Sequence, residues 1–241
     1  MASLTCVTCY YPVKNKHGNK FMEWFKNTLS VNCPYVFFTN KENMAMIKEL
    51  RRDLPTHFIE LNMEDFITYR YKDRMITNSI HCPSVELNLI WNEKIFLLDR
   101  ASNVNPFNTD WFLWMDAGIC TFRDCKPAVD RLNLDKLLSL PKDKIIYTSS
   151  NPYYEHFVTV NNYYHHVSGT YLIHKDIIAA CSLLYKEYLE KLLSKDNIWT
   201  DQVIWTHIYK DYPFMFYKWF DGYGEIAKYL FGTQERNVTH T

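Results

Sequence analysis

Trp111-Phe112-Leu113-Trp114-Met115-Asp116-Ala117-Gly118 sets five apolar residues in a row, then an acid, then two small residues. The run from Trp111 to Met115 reads as a short strand, with Asp116 at its carboxyl end. In open α/β sheets, ligands bind at the carboxyl ends of the strands. An acid at that place is able to hold a hard divalent cation, which in turn holds a diphosphate. Ala117 and Gly118 behind it let a phosphate or a sugar approach the backbone. Many ordinary strands also end in Asp at a turn, so the octapeptide alone does not decide function.

Working outward, strands and helices alternate, which predicts an α/β layer fold. Strands are expected at 4–10, 35–39, 56–61, 144–149 and 167–174. Helices are expected at 20–29, 41–53, 84–101, 176–193 and from about residue 200 to 209. Residues 63–80 and 151–164 read as irregular. No linker or internal repeat divides the chain, so one domain is expected over 1–233, with a flexible polar tail over 234–241.

The helix expected immediately before the octapeptide starts after Pro83, with Ser84 as its N-cap. At 100° per residue, Leu87, Trp91, Lys94 and Leu98 share one face. A charge in the middle of an apolar stripe is costly unless paired. Lys94 therefore either snorkels out along the helix or turns into a cleft to meet a carboxylate or phosphate. Val85, Leu89 and Phe96 lie opposite, so the helix is not cleanly one-sided. Farther along, Asp201 opens a helix and shares a face with Ile204, Trp205 and Ile208. Asp is an ordinary residue at a helix N-terminus. The functional alternative is a carboxylate that orients an acceptor hydroxyl or takes its proton.

Adjacent His165 and His166 precede a strand and point to opposite faces, so both cannot ligate one metal without a bend. His207 is a further candidate. No HExxH or HxxxH pattern occurs, and GxGxxG, GxxxxGK[ST] and GxSxG are absent as well. Cys6-Val7-Thr8-Cys9 has redox or zinc spacing but falls inside the first strand, and no second CxxC completes a site. With seven cysteines in all, the reading is of buried, reduced thiols.

Composition bounds the function classes. Hydrophobic residues are 47% and charged residues 22% of 241, which allows a substantial core and excludes disorder. Lys plus Arg and Asp plus Glu both total 27, so no basic footprint for nucleic acid is present. No signal peptide and no membrane-spanning apolar run is visible, which predicts a cytoplasmic protein without an integral membrane segment. Asn237-Val238-Thr239 is a sequon by chance in such a chain.

Ser84-Val85-Glu86-Leu87-Asn88-Leu89-Ile90-Trp91-Asn92-Glu93-Lys94, then Asn105-Pro106-Phe107, then Trp111 to Ile119, resembles the central signature of the HtrL/YibB (WlaTC-like) glycosyltransferase family. Val7-Thr8-Cys9-Tyr10-Tyr11, Phe37-Phe38-Thr39-Asn40, Gly169-Thr170 and Asp201-Gln202 fall in the same order. The resemblance implies a GT-A-like single Rossmann-type domain with a mixed, mostly parallel central sheet flanked by helices. It implies transfer of a sugar from a nucleotide-diphosphate sugar, a UDP-sugar, to a hydroxyl acceptor, assisted by Mn2+ or Mg2+. Asp116 would be the metal ligand, although Ala117 and Gly118 stand where a second acid is usual in an Asp-x-Asp. Lys94, Arg74 or Arg70 would neutralise the diphosphate if no metal does. Thr8, Tyr10, Tyr11 and Asn40 would line the nucleoside pocket. Trp91, Arg74, Ala117, Gly118, Gly169 and Gln202 complete the expected substrate contacts. Lys94 is the expected donor contact, and Asp201 the base if transfer inverts. Three rivals stay open: a non-catalytic nucleotide-sugar or carbohydrate-binding module, a structural protein, and a nucleotidyltransferase. The last is weakened because 7–17 holds no glycine for a triphosphate loop.

Overall fold

A computed structural model describes residues 4–128 and 132–234. The strand that opened the sequence reading is β4, Trp111–Trp114, and all four of its residues are buried. It lies in a seven-stranded sheet with β1 (Leu4–Cys9), β2 (Tyr35–Thr39), β3 (Thr56–Glu60), β5 (Ile145–Ser149), β6 (Val167–His174) and β7 (Phe216–Asp221). The order across the sheet is β3-β2-β1-β4-β6-β5-β7. β1 pairs in parallel with both β2 and β4, and β2 with β3. β6 runs against its neighbours β4 and β5, while β5 and β7 are parallel. The fold is therefore mixed α/β with a mostly parallel sheet, as the alternating pattern predicts.

The reversal of β6 matters for the site. Its register, Leu113 opposite Leu172, brings the start of β6 beside the end of β4. Gly169 thereby comes to the same edge as Asp116, although 53 residues separate them in the chain.

Helices cover both faces, which a buried parallel sheet requires. On one face lie α3 (Val85–Val104), α5 (Lys175–Leu193) and α6 (Asp201–Asp211), packed through residues such as Leu98, Ile178, Tyr185 and Trp205 against Val7 and Phe112. The other face holds α1 (Lys20–Leu29), α2 (Lys41–Arg51), α4 (Leu134–Leu138) and α7 (Glu225–Phe231), with Phe25, Ile47 and Leu230 against Leu4 and Leu113. Cys6 packs on this second face and Cys9 on the first, as strand alternation demands. The CxxC pair is thus split by the sheet, and both thiols are free.

α3 is a central helix. Asn88, Leu89 and the whole run from Asn92 to Leu98 are buried. Such a helix is apolar on more than one side, which explains why Val85, Leu89 and Phe96 blur its stripe. Ser84 caps it by accepting from Leu87 N at 3.2 Å. Strand and helix starts agree with the sequence reading to within about one residue. Three elements were not foreseen: α4, β7 and α7. α4 is a single turn of five residues, too short for periodicity to show. β7 is an edge strand with one buried, two half-buried and three exposed residues, so its alternation is weak. Residues 235–241 of the expected tail, with the sequon, lie outside the described residues. No helix among the described residues is long and apolar enough to cross a membrane.

Candidate active site at the carboxyl ends of the strands

Lys94 projects from α3 over the end of β4 and is 2% exposed. Its ammonium lies 3.0 Å from Asp116 Oδ1 and 3.2 Å from Asp201 Oδ2, and it donates to the Gly169 carbonyl at 3.1 Å. The paired alternative for Lys94 is the one realised; it does not snorkel. Burial works against its charge, but the two carboxylates more than offset it, and the net effect holds its pKa above the ordinary lysine value. A Cβ on Gly169 would stand 2.8 Å from Lys94 Nζ and 3.3 Å from Asp201 Oδ2, so the cluster would have to shift to admit it.

Asp116 is fully engaged. Oδ1 also accepts from Trp114 Nε1 at 2.8 Å, and Oδ2 accepts a short hydrogen bond from the Tyr223 hydroxyl. Burial alone would raise its pKa, yet Lys94, Tyr223 and Trp114 together hold it below the usual carboxylate value. Asp201 is different. It is 2% exposed, paired with the Lys94 ammonium, and the Gln202 backbone N–H also favours its charge. Burial pushes its pKa up to about 6, with Lys94 opposing and Asp116 adding to the rise. Two carboxylates in one cluster are thus driven apart in acidity, the pattern expected of groups with different tasks.

The chain around the cluster is pinned by polar groups that hold loops in place. Asn88 Nδ2 donates to the carbonyls of Ile76 and Ile198, at 2.8 and 3.2 Å. Asn92 Nδ2 donates to Asn88 Oδ1 and to the Trp199 carbonyl, and Tyr185 donates to Asn92 Oδ1. These bonds fix the segment that launches α6, and so the position of Asp201. Glu93 accepts from Ile67 N, Thr68 N and Thr68 Oγ1 at 2.9, 2.9 and 2.7 Å, tying the 3-10 turn over Ile67–Arg74 to α3. Tyr223 reaches Asp116 because Gly222 and Gly224, both at positive φ, let the loop before α7 come close. A Cβ on Gly224 would meet Cys120 Sγ at 2.7 Å.

A cleft of about 470 Å³ opens over this cluster. Tyr10, Tyr11, Trp91, Lys94, Asp116, Ala117, Gly118, Asp201 and Gln202 line it, so most of the expected residues converge. Gly169 backs the cluster from behind. Three expected contacts are not brought there, and each has a physical reason. Thr8 is wholly buried within β1, whose alternation turns its side chain into the protein. Asn40 is spent as the N-cap of α2, accepting from Asn43 N at 3.3 Å. Arg74 donates to Asn197 Oδ1 and to the carbonyls of Leu193 and Asp196, where α5 ends. Arg70 likewise stays local, donating to the Ile67 carbonyl. His165 lines the cleft while His166 turns away to Tyr147 and Asn151, the divergence expected of adjacent strand residues. His207 is not among the lining residues.

The residues present do not fit a manganese or magnesium ion as they stand. Both Asp116 oxygens are taken by donors, and the Lys94 ammonium occupies the space between the two acids. A hard divalent ion at Asp116 would have to displace Lys94 and draw its other ligands from substrate phosphates and water. No group of three His, Cys, Asp or Glu with metal-ligand geometry occurs among the described residues. Sequence reasoning missed Tyr223, Lys16, His17, Arg123 and Tyr163, all on the cleft wall. Only the Gly222-Tyr223-Gly224 triplet carried a visible signal, as a turn with close backbone approach.

A mostly parallel α/β sheet, with a cleft over a buried carboxylate–ammonium–carboxylate group at its strand ends, places the chain in the open α/β class. Within that class, the chain belongs to the HtrL_YibB family, described as a bacterial protein of unknown function, whose model matches residues 55–227. No curated protein matches it. Similar solved structures include the apo form of glycosyltransferase GlyE of Streptococcus pneumoniae TIGR4, at 10% identity and TM-score 0.44, covering 90% of this chain and 44% of that one. A second GlyE structure is similar at 13% identity and TM-score 0.44, over 88% and 44% of the two chains. So is 4-diphosphocytidyl-2C-methyl-D-erythritol synthase of Anaerococcus prevotii DSM 20548, at 13% identity and TM-score 0.44, over 97% and 92%. The chain spans less than half the length of the GlyE chains it resembles.

Proposed function

We propose that this protein is a GT-A-like glycosyltransferase that moves a sugar from a nucleotide-diphosphate sugar to a hydroxyl acceptor. The observation that carries the reading is Asp201: a buried carboxylate on the wall of the strand-end cleft, 3.2 Å from the Lys94 ammonium, with a pKa pushed up to about 6 by burial. A general base works best when its pKa lies near the working pH. In the proposed reaction the acceptor oxygen bonds to the anomeric carbon from the face opposite the leaving group. Its proton passes to Asp201. The bond from that carbon to the donor's phosphate oxygen breaks, and the nucleoside diphosphate leaves with the electron pair. Lys94 holds Asp201 and Asp116 in register and keeps the cluster from accumulating two unbalanced charges. Asp116, saturated by Trp114, Tyr223 and Lys94, acts as the fixed anchor of that arrangement.

Thermal shift against a panel of nucleotide-diphosphate sugars, UDP-sugars first, tests the binding half of the reading. Donor hydrolysis and transfer by the wild type and by Asp201→Asn test the chemistry. Stabilisation by one nucleotide class with turnover lost in the variant is the expected result. Binding without turnover in the wild type, across donors and acceptors, would leave only a carbohydrate- or nucleotide-binding module.

A further inference from the structure

A second charged group sits on the cleft wall, apart from the Lys94 cluster. Lys16 and His17 come from the loop that follows β1, and Arg123 from the segment after the 3-10 turn Cys120–Phe122. Arg123 is built in. Its guanidinium lies over the Trp24 ring at 4.3 Å, and its Nε donates to the Gly118 carbonyl at 3.4 Å. His17 meets the same Trp24 ring edge-on at 4.8 Å. Trp24 thus organises both residues from α1, and Gly18 at positive φ turns the loop to allow it.

The group is unbalanced. Among the described residues, neither Lys16 nor Arg123 makes an ion pair, whereas Lys94 has two. The Arg123 charge disfavours the Lys16 ammonium, and both disfavour a charge on His17. Partial desolvation on the cleft wall and then Arg123 push the Lys16 ammonium down, and partial desolvation, Arg123 and Lys16 push His17 down to about 4. An anion placed among them would relieve that repulsion. Arg123 is held to Gly118, two residues past Asp116, so an anion here would lie beside the Asp116 loop. Guanidinium and ammonium together suit a phosphate group, the first as a fork and the second as a point charge.

We infer that Lys16, His17 and Arg123 form a diphosphate-binding corner that takes the charge of a nucleoside diphosphate without a divalent cation. The inference rests on the donor class proposed above. It gives the role first expected of Arg74 and Arg70 to residues that do reach the cleft. Free pyrophosphate presents the same chemistry, so the two sources must be separated by experiment.

Calorimetric titration of UDP, GDP, CDP, ADP and inorganic pyrophosphate in EDTA-containing buffer makes the test, on wild type, Lys16→Gln and Arg123→Gln. Lys16 is exposed, so its replacement removes charge without disturbing packing. The expected result is binding of one nucleoside diphosphate in EDTA, weakened at least about tenfold in each variant, with a shallower salt dependence. Binding of pyrophosphate alone, with the same losses, supports the corner and sinks the nucleotide-sugar reading. Nucleotide binding that needs manganese, or that both variants leave unchanged, overturns the corner and leaves the donor reading standing. Absence of any binding in EDTA also overturns the corner.

Discussion

The Lys94 ammonium and the Asp201 carboxylate meet 3.2 Å apart with both side chains 2% exposed. Neither charge has water to fall back on. Lys94 is the common partner of both acids, so it is the member whose loss leaves the most uncompensated charge.

Lys94→Met is therefore expected to destabilise the fold by about 3–5 kcal/mol, the cost of breaking a buried pair from one side. Adding Asp201→Asn should recover part of that loss, because the second unpaired charge is then gone. Urea unfolding of the single and double variants at neutral pH measures both. Equal stability of Lys94→Met and wild type would show that the cluster is not buried in solution.

Asp201 must be ionised to act as base, and its pKa is about 6. The pH profile of kcat/KM is expected to rise through about pH 6 and then level. Asp201→Asn should lower kcat by about 10²–10⁴-fold and remove that limb. An acid limb unchanged in the variant would assign it to another group.

Glu93 carries a stability signature. Burial pushes its pKa up to about 7 against the bonds from Thr68 and Ile67 that favour its charge. A carboxyl raised in the folded state binds its proton more tightly there than when unfolded. Its contribution therefore favours folding below the unfolded value and is lost as pH rises toward about 7. Glu93→Gln should flatten that part of the stability–pH curve. It should also cost about 1–3 kcal/mol, because an amide cannot accept all three donors that the carboxylate does. Chemical denaturation from pH 5 to pH 8 reads both effects; an unchanged slope in the variant would remove Glu93 as the source.

Gly169→Ala separates site from fold. The added methyl would press on Lys94 Nζ and Asp201 Oδ2. Overpacking of this kind costs about 1–3 kcal/mol in stability. A displacement of order an ångström in the cluster can cost about 10²-fold in turnover. The expected variant melts as a folded protein yet transfers sugar far more slowly. Full turnover would show that the cluster tolerates movement and is not the reacting centre.

Much of the fold was legible because its elements are long or strongly patterned. β4, α3 and α5 each carry a continuous apolar run or helical period that local sequence displays. α4, β7 and α7 are short or lie at the sheet's edge, where packing rather than pattern decides. The site divides the same way. Lys94 was visible because a charge in an apolar stripe demands a partner. Tyr223 and Arg123 were not: the glycines flanking Tyr223 mark a turn but not the acid it reaches, and nothing local marks Arg123 as turned toward the cleft.

Sequence by itself determined that this chain is α/β, that Asp116 ends a buried strand, and that Lys94 must either snorkel out or meet an anion. These follow from periodicity and from the cost of burying charge, both local properties. Only the tertiary structure decided which anions. The reversed strand β6 brings Gly169 to the end of β4, the asparagines of α3 fix the start of α6, and Asp201 thereby arrives opposite Asp116. Tyr223 and Trp114 then occupy the oxygens that a metal would have needed. Partner choice across long chain separations is set by topology and space, which no local pattern records.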